Sequence, residues 1–99
     1  MIVFIRTAGI APGKNASMLA FSNEIVGYIK EAYKFDVEVL LPVGGNPQRI
    51  AWTSRHKDLA EYEDISLRLM ADPKYWEIVT KHTACFAPGS VNDEIWRTL

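Results

Sequence analysis

The chain has 99 residues, 48% of them hydrophobic and 23% charged, which is typical of one compact globular domain spanning residues 1–99. Its formal net charge of −1 gives no general attraction to phosphate groups, so we expect no nucleic-acid partner. No apolar run is long enough to cross a bilayer, and Arg6 interrupts the apolar start, so we expect a cytoplasmic protein without a membrane partner. The single cysteine, Cys85, excludes an internal disulfide, and its neighbours Ala84 and Phe86 predict a buried small side chain.

The first two elements are predicted from a change in hydrophobic period. Ile2–Thr7 is rich in β-branched and aromatic residues, which predicts a strand. Between Ala16 and Lys34 the apolar residues recur at helical spacing, which predicts an amphipathic helix. Gly27 within this helix lowers its stability by about 1 kcal/mol relative to alanine. Close packing of this helix against the sheet is one reason for a glycine at this position.

A β-hairpin is predicted next. Phe35–Val43 alternates as a strand, Gly44–Pro47 forms a turn and Gln48–His56 returns as the partner strand. The register places apolar residues opposite apolar ones and an acid opposite a base. The predicted pairs are Leu41 with Ile50, Val39 with Trp52, and Asp36 with Arg55.

The remaining sequence predicts a broken helix and a last strand. Asp58 and Glu61 have the spacing of a capping box, and Asp72-Pro73 restarts the helix, which ends near His82. Glu94–Leu99 is predicted to be the last strand. The order strand, helix, strand, strand, helix, strand predicts an α+β, βαββαβ domain with an antiparallel sheet and the helices on one face. The other face is half polar and can meet water or a second subunit; it carries Asp36, Glu38, Arg49, Thr53 and Arg55, mixed with Leu40 and Ala51.

Several short motifs support a family resemblance. They are Ile50-Ala51-Trp52-Thr53-Ser54, Leu59-Ala60-Glu61, Leu69–Pro73 followed by Trp76, Pro12-Gly13 after the first strand, and Arg97 on the last strand. With this element order, the chain resembles the NIPSNAP-type branch of the dimeric α/β-barrel superfamily over nearly its whole length. The resemblance implies a ferredoxin-like fold, a homodimer in which two sheets face each other, and ligand pockets between sheet and helices or near the barrel.

The superfamily hosts several activities, so the resemblance does not select a reaction. It includes cofactor-free monooxygenases of quinone-type substrates, muconolactone isomerase-like proteins, dehydratases, haem peroxidases and haem-degrading enzymes, whereas NIPSNAP-type members mostly lack an assigned reaction. Haem-degrading relatives use a histidine on the second helix, and His82 lies too near the end of that helix to match it. We therefore transfer no catalytic residue from the family, and we expect no cofactor.

Four residues are candidates for a ligand site. Trp52 is either a core residue or a flat wall for an aromatic ligand, with its indole N–H as a donor. His56 is either a general base with a pKa near neutrality or a solvated residue at a strand end. Arg6 interrupts an apolar strand and needs a partner, which is either Glu38 or Asp36 across the sheet or a ligand carboxylate.

The fourth candidate, Tyr62, is a helix residue that packs in the core or lines a pocket. The chain has only two histidines and no paired cysteines, so we expect no metal site. The function predicted from the sequence is a small homodimeric protein that binds or transforms a small aromatic or carboxylated molecule by cofactor-free oxygenation or isomerisation. In this prediction Trp52 and Tyr62 hold the ring, Arg6 binds an acidic group and His56 is the catalytic base. Two alternatives stay open: a non-catalytic dimerisation or regulatory module, and a haem-binding protein that uses His82.

Overall fold

The computed structural model describes residues 1–99 as a four-stranded antiparallel sheet with three α-helices. The strands lie in the order β2-β3-β1-β4, the arrangement of the predicted βαββαβ fold. The elements are β1 Ile2–Gly9, α1 Asn15–Tyr33, β2 Val37–Leu40, β3 Arg49–His56, α2 Leu59–Met70, α3 Pro73–Lys81 and β4 Asn92–Arg97, with a short 3₁₀ turn at Thr83–Cys85.

Two aspartates begin α2 and α3, as their positions in the sequence predict. Asp58 Oδ1 accepts the backbone N–H of Glu61 at 2.9 Å, but the Glu61 carboxylate makes no return bond, so only half of the capping box forms. Asp72 Oδ1 accepts the N–H groups of Lys74 at 2.9 Å and Tyr75 at 3.3 Å, and Pro73 occupies the first helical position. The restart at Asp72 divides the second helical segment into α2 and α3.

The predicted hairpin register is confirmed, because Val39 lies opposite Trp52. Strand β2 is shorter than predicted and ends at Leu40, so the expected pairs at its two ends fall outside the ladder. Asp36 binds Lys30 of α1 instead of Arg55, with 2.9 Å between Oδ1 and Nζ. The register thus follows from the alternating pattern, whereas the length of the ladder does not.

The core lies between the helices and one face of the sheet. Ile50, Trp52, Ser54 and His56 alternate along β3 and are all buried, since the helices cover this face. Met18 of α1 is fully buried, and Cys85 is buried as predicted. The opposite face, which we call the open face, has no helix on it and carries five apolar side chains: Val3, Ile5, Leu40, Ala51 and Trp96.

Gly27 does not mark a close contact, so the explanation predicted from the sequence is wrong. It lies on the exposed side of α1, and a Cβ built there meets no atom within 4 Å. We therefore expect Gly27→Ala to raise the free energy of unfolding by about 0.5–1 kcal/mol, because alanine loses less backbone entropy on folding. Urea denaturation of both proteins measures this gain, and an unchanged midpoint would contradict the prediction.

Candidate functional site

A cavity of about 550 Å³ lies between the sheet and the helices, and all four candidate residues line it. Arg6 comes from β1, Trp52 and His56 from β3, and Tyr62 from α2. Sixteen of the 23 lining residues are hydrophobic, so a few polar groups stand out against an apolar wall. This composition is typical of a pocket for a small organic molecule.

Trp52 forms one wall of the cavity and belongs to the core at the same time. Its side chain is buried, and its ring packs edge-on against Phe21 at a centroid distance of 6.1 Å. Its indole N–H donates to Ser22 Oγ at 3.0 Å. The predicted wall is therefore present, but the indole donor is already satisfied within the protein.

His56 is buried at the end of β3, so the alternative of a solvated strand-end histidine is wrong. Its Nε2 atom lies 2.8 Å from Ser54 Oγ, and the two share a hydrogen bond. Its Nδ1 atom has no hydrogen-bond partner, and the nearest carboxylate oxygen, Glu61 Oε1, is 3.9 Å away. Burial lowers the pKa of His56 below its ordinary value, and the Glu61 carboxylate opposes this only in part. The imidazole is consequently neutral at pH 7, which is the form of a general base.

The lowered pKa of His56 predicts a loss of stability on mild acidification. Below pH 6.5 the unfolded chain binds a proton at His56 that the folded chain does not bind, so the free energy of unfolding falls with pH. This fall continues until the pH reaches the pKa of the folded state. We expect urea denaturation between pH 7 and pH 5 to show a steeper decrease for the wild type than for His56→Gln.

Both proteins keep His82, so whatever His82 contributes to the pH dependence of the free energy of unfolding cancels in this comparison. Glu24 and Asp72 have lowered pKa values, owing mainly to hydrogen bonds with Lys81 and Tyr28 respectively, and they titrate below this range. Equal slopes for the two proteins would contradict the assignment to His56.

Arg6 binds a partner that the sequence analysis did not identify. Its Nε and Nη2 atoms donate to the two carboxylate oxygens of Asp93 on β4, at 2.7 and 2.9 Å. This bidentate pair raises the pKa of Arg6 above its ordinary value. Glu38 is excluded because it lies on the open face, and Asp36 binds Lys30. The expectation of Glu38 or Asp36 as the partner was therefore wrong.

The sequence did not predict Asp93 as the partner of Arg6, because the predicted last strand begins only at Glu94. In the structure β4 begins at Asn92, and the β1–β4 register places Asp93 directly opposite Arg6. Extending the predicted strand by two residues would have revealed the pair, since cross-strand partners share a face.

Tyr62 packs its ring against Phe4 and His56, each at a centroid distance of 5.5 Å. Its hydroxyl makes no hydrogen bond within the chain, so it can donate to a ligand. Sequence analysis gave no role to Ser54, which also lines the cavity. Its position two residues before His56 on the same strand face was the signal that could have identified it.

A second polar cluster lies outside the cavity lining at Asp72, where Oδ2 accepts the hydroxyls of Tyr28 and of Tyr33, the latter at 2.6 Å. Burial and the hydrogen bond to Asp72 raise the pKa of Tyr33 to about 12. These contacts connect α1 to Asp72, the residue that caps the start of α3. We assign the cluster a structural role.

His82 does not line the cavity. Its Nε2 atom lies 3.0 Å from Glu24 Oε1, and Glu24 also binds Lys81. Iron ligation through this nitrogen would require breaking the pair with Glu24, so the geometry gives the haem alternative no support. No group of three or more histidine, cysteine or acidic side chains has an arrangement that could hold a metal ion.

The fold and the cavity define a ferredoxin-like α+β domain with an apolar pocket beneath its helices. No family model matches the sequence, and no curated protein matches it either. Solved structures do match. An uncharacterised NIPSNAP domain protein from Burkholderia xenovorans superposes with a TM-score of 0.84 at 17% identity, over 100% of this chain and 95% of that chain.

A NIPSNAP family protein of unknown function from Agrobacterium tumefaciens has a TM-score of 0.82 at 20% identity, over 97% of this chain and 86% of that chain. A protein described as an antibiotic biosynthesis monooxygenase has a TM-score of 0.74 at 15% identity, over 100% and 99% of the two chains. At these identities the similarity establishes the fold. The NIPSNAP resemblance indicated by the sequence is therefore confirmed for the fold, and it leaves the reaction undetermined.

None of the helices has the length and apolar character needed to span a membrane.

Proposed function

We propose that this protein binds a small, mainly apolar aromatic molecule in the cavity beneath its helices. The cavity carries the proposal, because its volume of about 550 Å³ and its hydrophobic majority suit such a ligand. Trp52 and Tyr62 supply aromatic walls against which a flat ring can pack.

His56 is the base in this proposal. It lines the cavity, its lowered pKa keeps it neutral at pH 7, and its Nδ1 atom has no partner. Proton removal from a bound phenol or an activated C–H group is the step that cofactor-free oxygenation and isomerisation share. Arg6 is paired with Asp93, so the cavity favours a neutral ligand over a carboxylated one.

Binding is tested with N-phenyl-1-naphthylamine, a neutral aromatic probe whose fluorescence increases in apolar surroundings. We expect saturable binding to the wild type. Ser66→Trp places an indole into the cavity from α2 and should weaken binding at least about tenfold, since the probe loses its space. Glu63→Trp adds the same ring on the exposed side of α2 and is the control. Absence of binding to the wild type, or equal binding to both variants, would refute the proposal.

We further propose that the open face pairs two copies of the chain into a homodimer. Trp96 is 58% exposed and Leu40 is 43% exposed on this face. Val3 and Ile5 of β1 lie between the strands that carry them, with no helix over them. Exposed apolar side chains on an uncovered sheet face favour association. The same feature supports the alternative of a non-catalytic dimerisation module. Light scattering at micromolar concentration decides the oligomeric state, and a monomeric mass would refute this proposal.

A further inference from the structure

Three polar groups form a row at the end of β3 beside α2. Ser54 and His56 are two residues apart on the same strand face, with 2.8 Å between Oγ and Nε2. On the other side of the imidazole, Nδ1 faces the carboxylate of Glu61 at 3.9 Å. The row therefore runs carboxylate, imidazole, hydroxyl, which is the order that activates a serine nucleophile.

Two features indicate that Glu61 belongs to this row. Its carboxylate does not close the capping box with Asp58, although its position in the helix would permit this. Its Oε1 atom lies 3.9 Å from His56 Nδ1, which is the one buried side-chain nitrogen or oxygen of the chain without a hydrogen-bond partner. An unpaired buried nitrogen lowers stability, and an approach of about 1 Å by this half-exposed carboxylate would pair it.

The carboxylate also selects the tautomer of the imidazole. A proton on Nδ1 points towards Glu61, so Nε2 is left as the acceptor for the Ser54 hydroxyl. His56 is neutral at pH 7 and can take up the serine proton. Ser54 lines the cavity, so its oxygen is available to a molecule bound there.

We propose that Ser54, His56 and Glu61 form a nucleophilic relay that transfers the acyl group of a small aromatic ester bound in the cavity. This inference rests on the proposed function, since the substrate must first occupy that cavity. Ser54 and His56 act as catalytic residues, and Glu61 is a positioning residue that acts through His56.

The reaction is balanced with water as the second substrate. Ser54 Oγ attacks the ester carbonyl carbon, and its proton passes to His56 Nε2. The bond from the carbonyl carbon to the leaving oxygen then breaks, and that oxygen takes the proton from Nε2. Water hydrolyses the acyl-serine with His56 as the base, which restores the Ser54 hydroxyl.

The experiment uses phenylmethylsulfonyl fluoride, whose aromatic ring suits the cavity and whose sulfur is attacked by an activated serine with loss of fluoride. Intact mass and peptide mapping of the wild-type chain report the site directly, so the result does not depend on how a Ser54 variant folds. We expect one adduct per chain, at Ser54. His56→Gln should slow its formation at least about 100-fold, because the base is removed.

Glu61→Gln tests positioning with a readout that a structural role would not change. The carboxylate raises the pKa of His56, so its removal should shift the pH midpoint of the Ser54 reaction downward as well as slow the reaction. Glu63→Gln on the same helix and Ser17→Ala on α1 are matched controls and should react like the wild type.

Two results would overturn the relay alone. One is the absence of a Ser54 adduct in a wild-type chain that binds N-phenyl-1-naphthylamine, which would leave the proposed binding function intact. The other is an adduct that forms equally fast in His56→Gln. A wild-type chain that neither binds the probe nor forms the adduct would refute the proposed function and the relay together.

Discussion

Replacing Trp52 by alanine is expected to lower the free energy of unfolding by about 3–5 kcal/mol, the range found when large aromatic residues are truncated in cores. Trp52 is 7% exposed, packs against Phe21 and Phe86, and donates its indole N–H to Ser22. The truncation removes these contacts and extends the cavity into the core. Urea denaturation measures the loss.

Two further variants separate the contributions at this position. Ser22→Ala leaves the buried indole N–H without an acceptor and should lower the free energy of unfolding by about 1–3 kcal/mol. Leu67→Ala, at an exposed site of α2, should change it by no more than about 0.5 kcal/mol. A loss below about 1 kcal/mol for Trp52→Ala would show that Trp52 contributes little to the core.

Replacing Asp93 by asparagine is expected to change which ligands the cavity accepts. In the wild type the Arg6 guanidinium binds both Asp93 oxygens, so a ligand carboxylate must compete with a carboxylate of the protein. In Asp93→Asn the guanidinium loses its anionic partner and can bind a ligand carboxylate through two charge-assisted bonds. We expect affinity for 2-naphthoate to rise about tenfold or more, with little change for the neutral N-phenyl-1-naphthylamine.

The double variant Arg6→Met, Asp93→Asn is the control for this prediction, since it removes the cation as well as its partner. It should bind 2-naphthoate no better than the wild type does. Isothermal titration calorimetry or probe displacement measures both affinities. An equal gain for the single and the double variant would show that Arg6 does not bind the ligand carboxylate, contrary to the role predicted from the sequence.

The element order could be predicted because each element has its own periodic pattern and its own boundary residues. Asp58 and Asp72 begin their helices through local hydrogen bonds, which depend on residues within three positions. The hairpin register was predictable for a similar reason, because Val39 opposite Trp52 satisfies the alternation of both strands. The position of Trp52 and His56 on the helix-facing side of β3 follows from the same alternation.

The partners of the candidate residues could not be predicted in the same way. Arg6 and Asp93 are 87 residues apart, and their pairing depends on where β4 begins. Ser54 and His56 are near neighbours, but the approach of Glu61 depends on how α2 packs across β3. Gly27 suggested a close contact, yet the side of α1 on which it lies has nothing packed against it.

By itself, the sequence determined the α+β class, the strand and helix order, the hairpin register and the face of β3 on which Trp52 and His56 lie. These features depend on hydrophobic period and on hydrogen bonds between residues close along the chain. Only the tertiary structure decided that Arg6 is paired with Asp93, that His56 is buried and neutral, and that a cavity joins them to Trp52 and Tyr62. Pairing, burial and cavity volume depend on distances between elements that are remote in the chain, and no local pattern encodes those distances.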